Sequence, residues 1–342
     1  MIVARILFWL LLVTLMPGAV ALTVLRVLQL EQGWAVRIVS FTPYAVLGYG
    51  VVALLCVVAA FRARDAGRRG SPRTWLTVAL IVLLPLGLHG WWLAPEFIDD
   101  REQIPDGPVV TVMTANLLKG HADPLAVLSA ASERGVDVLV LQEITPRTLA
   151  TLDDSGLDLA MPFRAGDSKE TVEGTMIFSR WPLRDEVRTS TGYDGYAVTV
   201  EHDLGEFRFF GVHPRPPIGP AYAWRGDLEN LLAEVEEAMA GELPVLLAGD
   251  LNATPDHREV RAFADAGLRR VGELIGAGWQ PTWPSEASPD TFPGWVPPLV
   301  QIDHVMVDAR FVPLDLERVF IPGSDHMAVV ARVARVLGDP NS

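Results

Sequence analysis

Three long apolar runs fill the first quarter of the chain, at about 6–25, 38–61 and 75–94, each near the ~20 residues a helix needs to cross hydrocarbon. They predict three transmembrane α-helices, with Pro85 and Gly87 tolerated inside the third because membrane helices accommodate both. The pattern then changes. Residues 95–108, PEFIDDREQIPDGP, are polar, carry three prolines and read as a linker. After it, short apolar or β-branched runs alternate with helix-period segments. Strands are expected at 109–115, 136–141, 174–179, 196–201, 207–213, 244–248, 301–307 and 327–333, and helices at 124–133, 146–152, 221–239 and 257–266. In the 221–239 segment Leu228, Leu231, Leu232, Val235 and Ala238 share one face and acids the other, the period of a surface helix. Helices set among strands, antiparallel pairs in the middle and no single βαβ rhythm predict an α/β (α+β) domain of sheets covered by helices. The expected organisation is an anchor over 1–94, a linker over 95–108 and a soluble domain over 109–342.

Charge sharpens this division. Residues 1–94 hold 8 Arg and 2 acids, a net +6, whereas residues 95–342 hold 20 basic residues against 40 acids, a net −20. Five of the arginines fall in 62–73, between the second and third apolar runs. The positive-inside rule puts that connection in the cytoplasm, hence the N-terminus inside, the 26–37 connection outside and everything after residue 94 on the extracytoplasmic side. Trp91 and Trp92 then anchor the outer interface. The expected location is the cell membrane, multi-pass. A rival reading takes Arg5, the apolar run and Ala19-Val20-Ala21 as a cleavable signal peptide, which leaves two spans and the same side for the domain. An apolar content of 50% excludes a disordered chain, and Cys56 as the only cysteine excludes a disulfide scaffold.

The polar residues fall where expected strands end. Apolar runs stop in TAN at 114–116, QE at 142–143, VHPRP at 212–216, GDLN at 249–252 and IDH at 302–304, and the tail adds GSDH at 323–326. Ligand sites in open α/β sheets form outside strand ends, so six such groups can converge on one crevice. Glu143, Asp250, Asp303 and Asp325 are hard oxygen ligands, Asn116 and Asn252 neutral amides, and His213, His304 and His326 can move protons. Oxygen donors with few histidines and no cysteine suit Mg²⁺ or Mn²⁺, which bind through carboxylates, water and phosphate oxygens. Singly, each group has a plainer reading: Asp250 to Asn252 as a turn or helix cap, Glu143 as a charge at the helix that Pro146 opens, His213 and Asp325 as loop residues. Strand alternation also turns His304 away from Asp303. Jointly they point to metal-assisted phosphoryl chemistry.

In these motifs the chain resembles the endonuclease/exonuclease/phosphatase superfamily, which shares its fold with DNase I-like nucleases, sphingomyelinases and inositol-phosphate phosphatases. The resemblance covers about 109–333, in order: TANLL with Asn116, VLQEIT with Glu143, GTMIFSR, GVHPRPP with His213, AGDLNATP with Asp250 and Asn252, QIDHVMV with Asp303, and GSDHMAVV with Asp325 and His326. It implies a four-layer sandwich of two mixed β-sheets flanked by helices. It also implies that Glu143 holds the catalytic divalent ion, with Asn116 beside it on phosphate or the ion's water shell and Asp325 in the metal set. Asp250 and Asn252 would orient or deprotonate the attacking water. His326, oriented by Asp303, would transfer a proton or stabilise phosphate, and His213 would stabilise the pentavalent transition state. Two departures stand out. Leu118 occupies a position where some members carry an acid, and the acid that pairs with the first histidine in nuclease-like members has three candidates here, Asp167, Glu170 and Glu173.

Fold and site do not fix the substrate. A soluble part of net −20 over 95–342, in a chain with only two lysines, is a poor general binder of nucleic acid, although Arg164, Arg180, Arg215 and Arg225 are candidate mouth residues, with Arg215 as a substrate contact. Membrane anchoring favours phosphate esters at or near the bilayer, lipid or lipid-linked head groups among them; DNA or small organophosphates outside the cell also fit. The first expectation is a membrane-anchored, metal-dependent phosphoesterase acting on a diester or monoester. The alternatives are a surface nuclease and a non-catalytic binding module on the same fold.

Overall fold

The computed structural model describes residues 2–65, 71–101, 109–203, 205–218, 221–285 and 295–336. Residues 66–70 of the Arg-rich connection and 102–108 of the expected linker lie outside them. The chain forms two compact units, Met1–Pro95 and Glu96–Ser342.

The first unit contains α1 (Ile2–Leu28), α2 (Gly33–Val39), α3 (Ala45–Asp65) and α4 (Ser71–Leu93). Three helical stretches, Ile2–Leu28, Thr42–Asp65 and Ser71–Phe97, are long and apolar enough to cross a membrane. The second starts later than the apolar run because Pro43, with no N–H to donate, sits in a 3₁₀ turn at Thr42–Tyr44 that leads into α3. The connection before it folds into α2 rather than a plain loop. Thr23 on α1 bonds Tyr49 Oη on α3 at 2.7 Å and His89 Nε2 on α4 at 2.9 Å, joining the three helices through polar groups within their apolar stretches.

The second unit runs β1 (Val109–Asn116), α5 (Pro124–Glu133), β2 (Val138–Gln142), α6 (Pro146–Asp154), α7 (Leu157–Ala160), β3 (Phe163–Asp167), β4 (Thr175–Ser179), β5 (Leu183–Arg188), β6 (Tyr196–Val200) and β7 (Phe207–Val212). It continues with α8 (Ala221–Met239), β8 (Val245–Asp250), α9 (Arg258–Asp265), β9 (Arg269–Arg270), α10 (Val271–Leu274), β10 (Asp303–Val307), β11 (Phe311–Phe320) and β12 (Met327–Arg335). Two six-stranded sheets result, in the orders β11-β12-β1-β2-β4-β3 and β5-β6-β7-β8-β10-β9. Each is mixed, with one parallel pair: β1 with β2, and β7 with β8.

Strand periodicity explains the layers. In β1, Val110 and Val112 face the core between the sheets while Met113 and Ala115 face the helix layer; in β2, Val138 and Val140 face inward, Leu139 and Leu141 outward. A strand buried on both faces must be apolar throughout, which is why these segments read as continuous hydrophobic runs. The sheets lie close at Gly211 on β7, where a Cβ would lie 2.7 Å from Ile177 and 3.1 Å from Val140. Helices α5 and α6 cover the first sheet. Trp224, Leu228, Leu231 and Val235, the buried stripe of α8, lie on the β8 side of the second.

Residues 96–101, expected as linker, instead pack into this second unit. The Glu96 carboxylate accepts from Arg270 Nη1 at 3.1 Å and Nη2 at 2.5 Å, and both side chains are buried. Asp100 accepts from Arg269 Nη1 at 2.9 Å, and Arg101 Nη1 donates to the Leu314 carbonyl at 2.9 Å. Glu96 is buried against its opposite charge, while Asp99 and Asp100 stay exposed and pair with Arg101 and Arg269 at the surface.

His304 points away from Asp303, as alternation requires, and donates its Nε2–H to the Ala253 carbonyl at 2.8 Å. Burial, then the Arg270 charge, pushes its pKa down to about 4.

Two outcomes follow from these buried charges. Glu96→Ala leaves Arg270 buried with its main partner gone and lowers stability by ~3–5 kcal/mol, read as a fall in the urea midpoint. The neutral His304 of the folded state gains a proton at about pH 6.5 when the chain unfolds. Stability therefore falls as pH drops from about 6.5 toward about 4, on the order of 3 kcal/mol from this residue. His304→Gln, which keeps a donor and cannot titrate, flattens that slope in unfolding measured across the range.

Candidate functional site

Strand direction gathers the site on one rim. β1, β2, β7 and β8 run toward it, so Asn116, Glu143, His213 and Asp250 stand at or just past their C-terminal ends. β10 and β12 run the other way; Asp303 opens the first and His326 immediately precedes the second. Asp303 pairs with Asp250 across the β10–β8 ladder, which puts two acids side by side.

His326 Nδ1–H donates to Asp303 Oδ2 at 2.9 Å, an assignment the carboxylate fixes because it can only accept. The other ring nitrogen, Nε2, lies 3.8 Å from Asp250 Oδ2 and 3.8 Å from Asp325 Oδ1. His213 Nε2 lies 3.7 Å from the same Asp250 Oδ2, so two imidazoles flank one carboxylate oxygen. Asn116 Nδ2 donates to Asp250 Oδ2 at 3.2 Å and to Glu143 Oε1 at 3.3 Å, and its Oδ1 accepts from the Leu118 amide at 2.9 Å. Glu143 Oε2 accepts from the Lys119 amide at 2.9 Å. Glu143 and Asn252 hold φ of 55° and 49°, the left-handed region that a side chain occupies at a cost.

The electrostatics separate the two histidines. Burial disfavours the His326 imidazolium, but the charges of Asp303 and Asp250 outweigh it and raise its pKa well above the ordinary value. Burial, and then the His326 charge, drives His213 down to about 3. One ring is a held cation and the other a neutral base. Burial raises Asp250, with the Asp303 charge adding to it, and burial raises Glu143.

Four carboxylates, Glu143, Asp250, Asp303 and Asp325, thus share the rim with one imidazolium, and the desolvation of Glu143 and Asp250 favours a bound cation. The donors are hard oxygens, which fit a divalent ion of the Mg²⁺ class. Ligand atoms of Asp250, Asp303 and His326 lie within 4.8 Å of one another, a grouping that can hold a metal, although His326 Nδ1 is already committed to Asp303.

The other expected residues fall as follows. Asp325 accepts from Trp283 Nε1 at 3.1 Å and lies close enough to Glu143 to raise its pKa. Asn252 caps Asp250 through its backbone amide at 2.8 Å, and its side chain donates to the Pro214 carbonyl, next to His213. Arg215 is half-exposed beside His213, yet its guanidinium is held by the buried Asp227. None of Asp167, Glu170 and Glu173 hydrogen-bonds His213 among the described residues: Asp167 accepts from Tyr196 Oη and Glu173 pairs with Lys169, while the backbone of Val172 lies at the ring. Arg164, Arg180 and Arg225 are likewise paired, with Asp153, Asp137 and Glu259, so they make no open basic patch.

Sequence reasoning passed over three residues that support the site. Ser324 Oγ donates to the Asn116 carbonyl at 2.7 Å and accepts from the His326 amide at 3.0 Å. Tyr193 stacks edge-on against His213 with ring centroids 5.1 Å apart. Thr282 accepts from the Ile302 and Asp303 amides. The serine had a signal in the GSDH group; the others sit in irregular segments without periodicity.

The Endonuclease/Exonuclease/phosphatase family pattern matches residues 113–326. No curated protein matches the chain in sequence. Among solved structures the chain resembles D. rerio TDP2 complexed with single-strand DNA product, at 16% identity and TM-score 0.55, covering 66% of this chain and 98% of that one. It also resembles an endonuclease/exonuclease/phosphatase family protein from Bacteroides thetaiotaomicron (19% identity, TM-score 0.50, covering 68% and 100%). A third likeness is to the human Nocturnin catalytic domain with bound sulfate anion (17% identity, TM-score 0.50, covering 67% and 94%). These likenesses describe the fold, and the family match spans the whole run of site residues from Asn116 to His326. The chain belongs to the endonuclease/exonuclease/phosphatase family, hydrolases of phosphate ester bonds that depend on a divalent metal ion.

Proposed function

We propose that this protein is a membrane-anchored phosphoesterase whose catalytic domain lies on the extracytoplasmic side and hydrolyses a phosphate ester at or near the bilayer. The observation that carries the chemistry is the His326–Asp303 bond set against Asp250, with Asn116 bridging Asp250 to Glu143. The location rests on the three apolar helices and the Arg-rich connection between the last two.

Asp303 holds the His326 ring so that Nε2–H faces the rim, where it donates to a phosphoryl oxygen as negative charge builds on it. Asp250 orients the attacking water and takes its proton, with Asn252 fixing the second carboxylate oxygen through its amide. His213, neutral and buried, offers Nε2 on the other side of Asp250 and hydrogen-bonds the pentavalent transition state. Asn116 keeps Asp250 and Glu143 at a common spacing. Glu143, with Asp325 and Asn116 beside it, would hold the Mg²⁺ or Mn²⁺. Such an ion supplies Lewis-acid polarisation of the phosphoryl group. The surroundings push His326 up and His213 down, which separates the two imidazoles into different protonation states.

The four candidate mouth arginines, Arg164, Arg180, Arg215 and Arg225, are all paired with acids, and the unit carries a large net negative charge, which supports a small or membrane-bound ester over a long polyanion.

His326→Ala and Asp303→Asn each lower kcat by ~10²–10⁴-fold in steady-state assays, EDTA abolishes turnover and Mg²⁺ or Mn²⁺ restores it. Unaltered turnover in both variants would remove the dyad from the mechanism. On a panel of phospholipid, small diester, small monoester and duplex DNA, kcat/KM is highest for an ester presented in a bilayer. A preference for DNA that falls steeply with salt would make the protein a surface nuclease, and folded protein inactive on every substrate would favour a binding module.

A further inference from the structure

Asp303 and His326 stand in different sheets, and no ladder joins their strands: β10 lies between β8 and β9, β12 between β11 and β1. A side-chain bond of 2.9 Å between them needs its supports held within ~0.5 Å. A short irregular segment, residues 282–285, bonds to both sides. Thr282 is fully buried, and its Oγ1 accepts from the backbone amides of Ile302 at 3.2 Å and Asp303 at 3.3 Å. The Thr282 carbonyl accepts from the Met327 amide at 2.8 Å, one residue past His326. Trp283 exchanges backbone bonds with Val300 and, through its indole N–H, holds Asp325 Oδ2 at 3.1 Å. Ser285 completes the far side: its amide donates to the Asp325 carbonyl at 2.7 Å and its hydroxyl to the Ser324 carbonyl at 2.8 Å.

We infer that residues 282–285 form a clasp that sets the spacing of Asp303 and His326 across the two sheets, making Thr282 and Trp283 positioning residues of the hydrolytic site. The segment has bonds on the approach to Asp303, at its backbone amide, and on both neighbours of His326. Its register is fixed in turn by the Trp283–Val300 bridge, which ties the clasp to the chain entering β10. Removing the Thr282 oxygen leaves two buried amides unpaired and frees Asp303 to shift; removing the indole N–H frees Asp325.

The inference rests on the proposed roles of Asp303 and His326, and its test separates the two. In the full chain held in lipid nanodiscs, Thr282→Val, which keeps the shape and removes the oxygen, lowers kcat ~10–100-fold while KM moves less than ~3-fold. Thr282→Ser restores kcat to within ~3-fold of the original. Trp283→Phe, which keeps a ring and removes only the N–H, lowers kcat in the same sense by a smaller factor. The second readout needs neither turnover nor metal. With ¹⁵N-labelled histidine, the downfield Nδ1–H resonance of His326 is present in the original chain and in Thr282→Ser, and lost or shifted upfield in Thr282→Val. Should Thr282→Val fail to fold, Trp283→Phe carries the kinetic test alone, and kinetics matching the original would overturn the clasp. Retained kcat and an unchanged resonance in Thr282→Val would overturn it too. So would a folded Thr282→Ser that recovers neither. An original chain with the resonance and its loss in Thr282→Val, but no hydrolysis of any phosphate ester, would leave the clasp standing and sink the proposed function.

Discussion

The bond from His326 to Asp303 crosses from one sheet to the other, and most of the catalytic unit can be understood as what keeps its length constant. Two sheets packed face to face are free to slide unless the side chains between them interlock. Here the interlock is built from β-branched and aromatic residues: Val112, Val140 and Val329 from one sheet meet Val198, Phe209 and Val305 from the other. Gly211 lets the backbones close up at the centre, with Ile177 and Val140 filling the space that a side chain would take. Packing sets the distance between the layers, and polar contacts at the rim then align the reacting groups to within hydrogen-bond tolerance.

The rim also shows how a protein accommodates like charges at close range. Asp250 and Asp303 are cross-strand neighbours, an arrangement that repulsion would oppose in isolation. It is tolerated because the His326 imidazolium answers both, and because the Asn252 amide and the Asn116 side chain donate to Asp250, whereas Asp303 Oδ1 stays buried without a donor among the described residues. The surplus of negative charge is directed toward the space where a cation and a phosphoryl group would meet, so attraction for the ion and strain within the protein are the same energy seen from two sides.

The centre of each sheet was legible in the amino-acid pattern and the borders were not. The strands missing from the sequence reading, β3, β5, β9 and β11, are the four sheet edges. An edge needs charge or irregularity to avoid pairing with other chains, and these supply it: LRDEVR in β5, a glycine in β3, and Pro313 with a register shift in β11. They lack the apolar runs that mark an interior strand. The rim residues could be found for the opposite reason, since Asn116, Glu143, Asp250 and Asp303 each interrupt or follow a strongly apolar strand. Thr282 and Trp283 escaped notice because backbone partners define them, and sequence does not display which amide a hydroxyl will meet. The pairing of Glu96 with Arg270, 174 positions apart, was hidden for the same reason, and a segment that looked like a tether is part of the packed unit.

The order of strands has a bearing on how the protein is made. β12 is synthesised after every other strand of the two sheets, yet it lies inside its own, paired with β11 on one side and with β1, the first strand of that sheet, on the other. Val110 finds its partner in Val333 only after everything between them has been synthesised. Until then the first sheet has a gap next to β1 and the rim has no His326. Closure of the fold and assembly of the rim cluster are therefore one event, and a nascent or prematurely ended chain carries Glu143 and Asp250 without His326.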